Sequence, residues 1–198
     1  MFGNLFRRMR DLIAKHMRMP RDHLVSDALQ LPLLQADVEC GLTWRAGLAT
    51  SWHFEADGRE LWMDLRQDIH WENGPVVTAQ DVVAAWKRAA IPGSELAMLQ
   101  ARAEQTYTVI FSVPAQFSSG AVLAQVAGIG ALPIEQQKEE DLLHSPLNLR
   151  TPPTQGSWRL ARWEGMDPIL ELNPQAPLDL RPRIARVHFQ TIPDATER

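Results

Sequence analysis

Cysteine, tyrosine and long apolar runs are the scarce features of this sequence. Its 198 residues include one cysteine, Cys40, and one tyrosine, Tyr107. A lone cysteine cannot close a disulfide within the chain, so the count leaves the redox compartment open. No stretch approaches the roughly 18 consecutive apolar residues of a bilayer-spanning helix, and no membrane span is expected. A surplus of one charge is missing too. Twenty basic and 24 acidic side chains give a net charge of -4 and a pI of about 5.9, which disfavours a nucleic-acid binder built on a basic stripe.

Catalytic and metal-binding patterns are equally sparse. The six histidines, His16, His23, His53, His70, His144 and His188, form no His-x-x-x-His or Cys/His pair at metal-ligand spacing. His16 and His23 are seven apart, but Pro20 lies between them. There is no Gly-x-Ser-x-Gly and no phosphate-binding loop, and Gly128-Ile129-Gly130 lacks both the third glycine and a preceding strand. Glu139-Glu140-Asp141 is a carboxylate run whose members point apart on a helix, which reads as a solvated face. Cys40 has no histidine beside it to activate a thiolate. These absences predict a protein that is not an enzyme, with no metal site and no cofactor.

What is present is tryptophan and proline, 7 and 14 residues, in a chain that is 45% apolar. That apolar share can bury a core, and the length suits one domain or one lobe of a larger protein. The prolines favour many short elements over long helices.

Residues 1–25 carry six basic side chains against Asp11 and Asp22, a local +4 that leaves -8 elsewhere. Leu5, Met9, Leu12, Ile13 and His16 are spaced as one stripe of a short amphipathic helix before Pro20. Arg7-Arg8 suggests an export signal, yet Asp11, Lys15, His16 and Arg18 interrupt the apolar run of about 7–15 residues that should follow. No signal peptide is legible.

From Leu48 the period becomes two. Ser51–Glu55, a two-residue Asp57-Gly58 turn, and Glu60–Arg66 predict a β-hairpin with Trp52, Phe54, Trp62 and Leu65 on its faces. Asn73-Gly74 predicts a further turn. Thr78 is a helix N-cap with Asp81 three residues on, and Val82, Val83, Trp86 and Ala89 form the apolar stripe. Lys87-Arg88 suits the C-terminal end of that helix, and Pro92-Gly93 stops it. Thr106–Val113 is the plainest β-run, residues 118–132 predict a buried helix or a small-residue packing segment, and residues 135–145 an acidic helix. After a rigid loop at 151–156, strands are expected at 158–163, at 169–174 and, with Val187 and Phe189 on one face, at 184–192.

Tryptophans can either fill a core or line a cleft that covers a ligand. The strand and helix patterns place Trp52, Trp62 and Trp86 in a hairpin-on-helix core. Trp44, Trp71, Trp158 and Trp163 sit at turn and loop edges, where both readings stay open.

Three ordered blocks carry a family likeness. The first runs Leu48-Ala49-Thr50-Ser51-Trp52, Leu65-Arg66, Trp71-Glu72-Asn73-Gly74 and Thr78-Ala79-Gln80-Asp81, closing at Trp86-Lys87-Arg88. The second is Tyr107 to Ala115. The third is Thr154-Gln155-Gly156-Ser157-Trp158 to Trp163, then Leu170 to Pro174 and Arg183 to Thr196. Together they resemble the extracellular solute-binding proteins of family 5, the peptide, dipeptide and nickel receptors of ABC importers. Ser157 stands where the family pattern has proline, and the family's Tyr-x-x-Leu segment is not recognisable in residues 1–45.

The resemblance implies an α/β fold of the type II periplasmic-binding-protein kind, limited to the first lobe with its accessory subdomain, the second lobe being absent. It divides the chain into a divergent basic segment, 1–45, and a partial solute-binding domain, 46–198. Asn73-Gly74, Thr78 and Asp81 build the subdomain rather than hold ligand. The candidate solute contacts are Trp44, Trp71, Gln155 and Trp158. Implied partners are a small peptide or similar solute and an ABC permease, with a periplasmic or extracellular location. The missing signal also leaves open a cytoplasmic sensor or transcriptional regulator carrying such a domain.

Overall fold

A computed structural model describes residues 28–37, 43–132, 154–165 and 167–190. The expected helices at 5–16 and 135–145 lie outside these residues, as does the end of the last expected strand.

The hairpin forms where the alternation placed it. β3 (Ala49–Glu55) pairs antiparallel with β4 (Glu60–Leu65), after a separate two-stranded ribbon of β1 (Leu34–Asp37) and β2 (Thr43–Ala46). Its loop is longer than the two residues expected. Glu55 pairs with Glu60, and the backbone of Arg59 donates to Glu55. Residues 56–59 therefore make a four-residue loop in which Asp57 and Gly58 both take positive φ, at 55° and 85°. Aspartate and glycine are the residues that tolerate that region, so the turn chemistry was right and only the count differed.

α1 (Ala79–Ala89) starts at Thr78 as expected. The Asp81 carboxylate accepts from the Thr78 backbone N–H at 2.8 Å and from its hydroxyl at 2.9 Å. Val82 and Val83 face the core, whereas Ala89 is exposed. The β-run forms β6 (Thr108–Ser112), which pairs with β4 and with a strand the sequence did not advertise, β5 (Gln100–Gln105). The sheet order is β3-β4-β6-β5. α2 (Ser119–Val126) forms within the 118–132 stretch, but it is shorter than expected and buries only Val122 and Val126, with Ser119, Gly120, Ala121 and Ala124 exposed.

Leu61, Met63, Leu65, Val109 and Phe111 line the inner face of this sheet and meet Val77, Val82, Val83, Val122 and Val126. Burial of each large side chain contributes about 1.5–3 kcal/mol. Trp52 and Trp86 pack partly against this core. Trp62 does not. It lies between Leu61 and Met63, so the period of two sends it to the outer face, where it stacks on His53 at 6.2 Å between centroids.

Residues 29–34 enter the same body. Pro32 and Leu33 accept backbone bonds from Gly47, Leu48 and Ala49, while Leu33 and Leu34 donate to Ile129 and Ala127. A second sheet, β7-β8-β9, comprises β7 (Trp158–Glu164), β8 (Asp167–Leu172) and β9 (Arg186–His188). The last strand is thus shorter than the 184–192 expected, and Ile184 is exposed. Leu170 and Leu29 centre a small second core, with Trp158, Leu160, Val187 and Phe189 packed around them. Among the described residues, no helix is long and apolar enough to cross a membrane.

Candidate functional site

The segment from Thr154 to Trp158 joins the two cores, and three of the four candidate contacts gather on it or against it. Glu72, next to Trp71, donates its backbone N–H to the Thr154 carbonyl at 3.0 Å. The Thr154 hydroxyl lies 2.6 Å from the carbonyls of both Leu29 and Trp158. Gly156 donates to the Leu29 carbonyl at 3.0 Å and accepts from the Asn173 side chain at 2.8 Å. A β-carbon at Gly156 would stand 2.8 Å from the Leu29 backbone, so the two segments meet at glycine distance.

Within this junction Trp71 and Gln155 are buried, and Trp158 is half-buried against Leu29 and Leu170. The Gln155 amide donates to the Leu31 carbonyl at 3.3 Å, while its Oε1 is buried with no hydrogen-bond partner. The Nε of Arg159 is likewise buried and unpartnered, although its Nη1 reaches Glu72 at 3.3 Å. Trp44 stands apart, on β2, half-buried at the edge of the larger core. The structure therefore brings Trp71, Gln155 and Trp158 to one junction and leaves Trp44 on the ribbon.

A second polar constellation escaped the sequence reading. Arg66, just past the end of β4, donates from Nε and Nη2 to Asp68 at 2.8 and 2.7 Å. The same guanidinium donates from Nη1 and Nη2 to Asp179 at 2.7 and 3.0 Å. The family likeness had picked out Arg66, but no local signal tied it to a carboxylate 113 residues away. The hydrogen bonds that Arg66 donates to Asp68, then those to Asp179, raise its affinity for its proton, and desolvation opposes them. Reciprocally, the Arg66 hydrogen bonds hold both carboxyls below the usual aspartate range. Thr50, Leu65, Arg66, Gln67 and Asp68 line an open concavity of about 480 Å³ beside this cluster.

The outer face of the larger sheet is laced by its own polar pairs. Arg102 donates to Glu60 at 2.9 Å, and Ser51 and Thr108 donate to the Asp64 carboxylate at 2.9 and 3.1 Å. Among the described residues, no three His, Cys, Asp or Glu side chains gather so as to hold a metal ion.

Comparison with known proteins agrees with this architecture. The family model "Bacterial extracellular solute-binding proteins, family 5 Middle" matches residues 43–198. Similar solved structures include the oligopeptide-binding protein AppA of Bacillus subtilis, in complex with a nonapeptide. It has a TM-score of 0.75 and 21% identity over 90% of this chain and 37% of that one. OppA of Haemophilus influenzae, in complex with a peptide, has a TM-score of 0.68 and 23% identity over 86% of this chain and 37% of its own. NikZ of Campylobacter jejuni, in complex with Ni(L-His), has a TM-score of 0.70 and 20% identity over 86% and 35%. At such identities the likeness is one of fold. This chain spans little more than a third of the length of these structures. No curated protein sequence matches the chain.

Proposed function

Since the chain belongs to the bacterial extracellular solute-binding proteins of family 5, with a fold shared over 90% of its length with a solute receptor, we propose that it contributes one wall of a receptor for peptide-like solutes, binds without chemistry, and serves an ABC permease at the outer face of the membrane. The observation that carries this reading is the family match over residues 43–198. The scarcity of catalytic patterns in the sequence agrees with it.

The division into a basic segment, 1–45, and a binding domain, 46–198, belongs to the same proposal, although Leu31, Leu33 and Leu34 of the first part pack into the main core and Leu29 into the smaller one. Of the four candidate contacts, Trp44 and Trp158 keep part of their surface in solvent and can meet a solute as they stand. Trp71 and Gln155 are buried and contribute only if the junction opens.

One wall supplies a fraction of the enclosure of a small-molecule site, so binding by this chain is expected at about millimolar Kd. Thermal unfolding of the full chain with a mixed tri- to pentapeptide pool at several millimolar tests it. A concentration-dependent rise in Tm that Trp44→Ala and Trp158→Ala reduce supports the reading; an unchanged Tm throughout the series overturns it for this chain.

A further inference from the structure

The Arg66 cluster has the components of a second, unassigned site. We propose that the Arg66 guanidinium is a binding site for small carboxylates and that Asp179 is its internal competitor, occupying the edge such a ligand would take. Asp179 meets Nη1 and Nη2 through both carboxylate oxygens, at 2.7 and 3.0 Å. This is the two-pronged geometry in which an arginine receives a free carboxylate.

The two aspartates are not equivalent. Asp68 is two residues from Arg66 and grips the Nε edge from within the same loop. Asp179 comes from a three-residue 3₁₀ turn, Leu178–Leu180, and its side chain is 60% exposed against 18% for Arg66. Its neighbour Leu178 is 81% exposed. The turn is held by the Leu180 N–H donating to Pro177 and the Ser157 hydroxyl donating to the Leu180 carbonyl. Asp68 is nearly as exposed, at 55%, but it belongs to Arg66's own loop, so the sequence-distant Asp179 is the partner that can be exchanged.

Exchange places three carboxylates around one guanidinium, since the displaced Asp179 stays tethered nearby, and Asp179→Asn removes that added repulsion. The adjoining concavity of about 480 Å³ gives the body of the ligand room between Thr50, Leu65 and Gln67. The hollow is shallow and leaves most of a ligand in solvent, which limits affinity to about the millimolar range. The ionisation of all three groups is reinforced by their mutual hydrogen bonds. An exposed competitor of this kind reduces apparent affinity by at most about fivefold.

The site requires none of the solute-binding reading above. The test is NMR titration of the isotopically labelled full chain with acetate, N-acetyl-alanyl-alanine and its C-terminal amide, following the Arg66 Nε–H signal. Asp179→Asn is expected to tighten binding of both acids by about two- to fivefold. Glu104→Gln, which removes a carboxylate elsewhere, leaves affinity unchanged, and Arg66→Lys weakens it by losing the fork. The amide leaves the Arg66 signal in place. Equal affinity for the two acids identifies any small carboxylate as the ligand; tighter binding of the dipeptide acid identifies a peptide C-terminus. Unchanged affinity in Asp179→Asn, or an amide that shifts Arg66 as the acid does, overturns the proposal. Peptide binding that persists in Arg66→Lys and with the amide overturns this site while supporting the solute-binding reading.

Discussion

Arg66 commits four of its five N–H donors to two aspartates that are distant from each other in sequence, while its side chain stays largely out of water. In the sequence both partners are simply two of 24 acidic residues, with no local pattern that ties either to Arg66. Gln155 has the reverse history. Its place in a family block made it a candidate contact, and the structure puts its amide against the Leu31 carbonyl with the other end unpaired. Glycine distances are similarly tertiary. A β-carbon at Gly47 would overlap the Pro32 carbonyl oxygen and stand 3.0 Å from that of Leu33. All of these obstacles are backbone, which cannot rotate aside. Gly47→Ala is therefore expected to destabilise the chain by about 1–3 kcal/mol, the usual result of overpacking. A lower urea midpoint at unchanged m-value is the check, and an unchanged midpoint would falsify the close-approach argument.

Elements differed in how plainly they declared themselves. β3, β4 and α1 were legible because alternation, turn residues and a cap agreed locally. The Asp81 carboxylate satisfies two donors at the start of α1, one of them a backbone N–H that would otherwise lack a partner. Asp81→Ala is expected to cost about 1 kcal/mol, with the loss seen first as faster amide exchange in residues 79–82. β5 was not legible for a physical reason. Its sequence, Gln-Ala-Arg-Ala-Glu-Gln, holds no β-branched or aromatic residue, and its only inward-facing side chains near the core are Ala101 and Ala103. It is a strand because β6 offers it a ladder, not because its residues prefer one. Trp62 marks the limit of composition arguments: an indole predicted for the core went outward because register, which depends on its neighbours, decided its face.

Across the whole molecule, the two sheets are joined by the 154–157 segment, by Leu29 and by the Arg66–Asp179 contact. This last link is electrostatic and carries a pH signature. Asp68 and Asp179 have folded-state pKa values below their unfolded ones. Their stabilisation is then fully present above the unfolded value, near 4, and is lost as pH falls through the lower folded values. Because both carboxylates are more than half exposed, the contribution is about 1 kcal/mol or less. Urea midpoints measured from pH 6 to pH 2 are expected to separate the wild type from Asp179→Asn at the upper end and to bring them together at the lower. A gap that stays constant with pH would show that the ion pair is not its source.

The sequence by itself determined the hairpin, the capped helix, the central β-run and the family to which they belong. Each of these rests on residues close together in the chain, where alternation, turn preference and capping act over a few bonds. Only the tertiary structure decided which face Trp62 takes, that Leu31, Leu33 and Leu34 belong to the main core, that Gln155 is enclosed, and that Arg66 meets Asp179. Those outcomes depend on distances between segments separated by up to 125 residues. Such distances are set by how whole sheets pack, and no local pattern contains them.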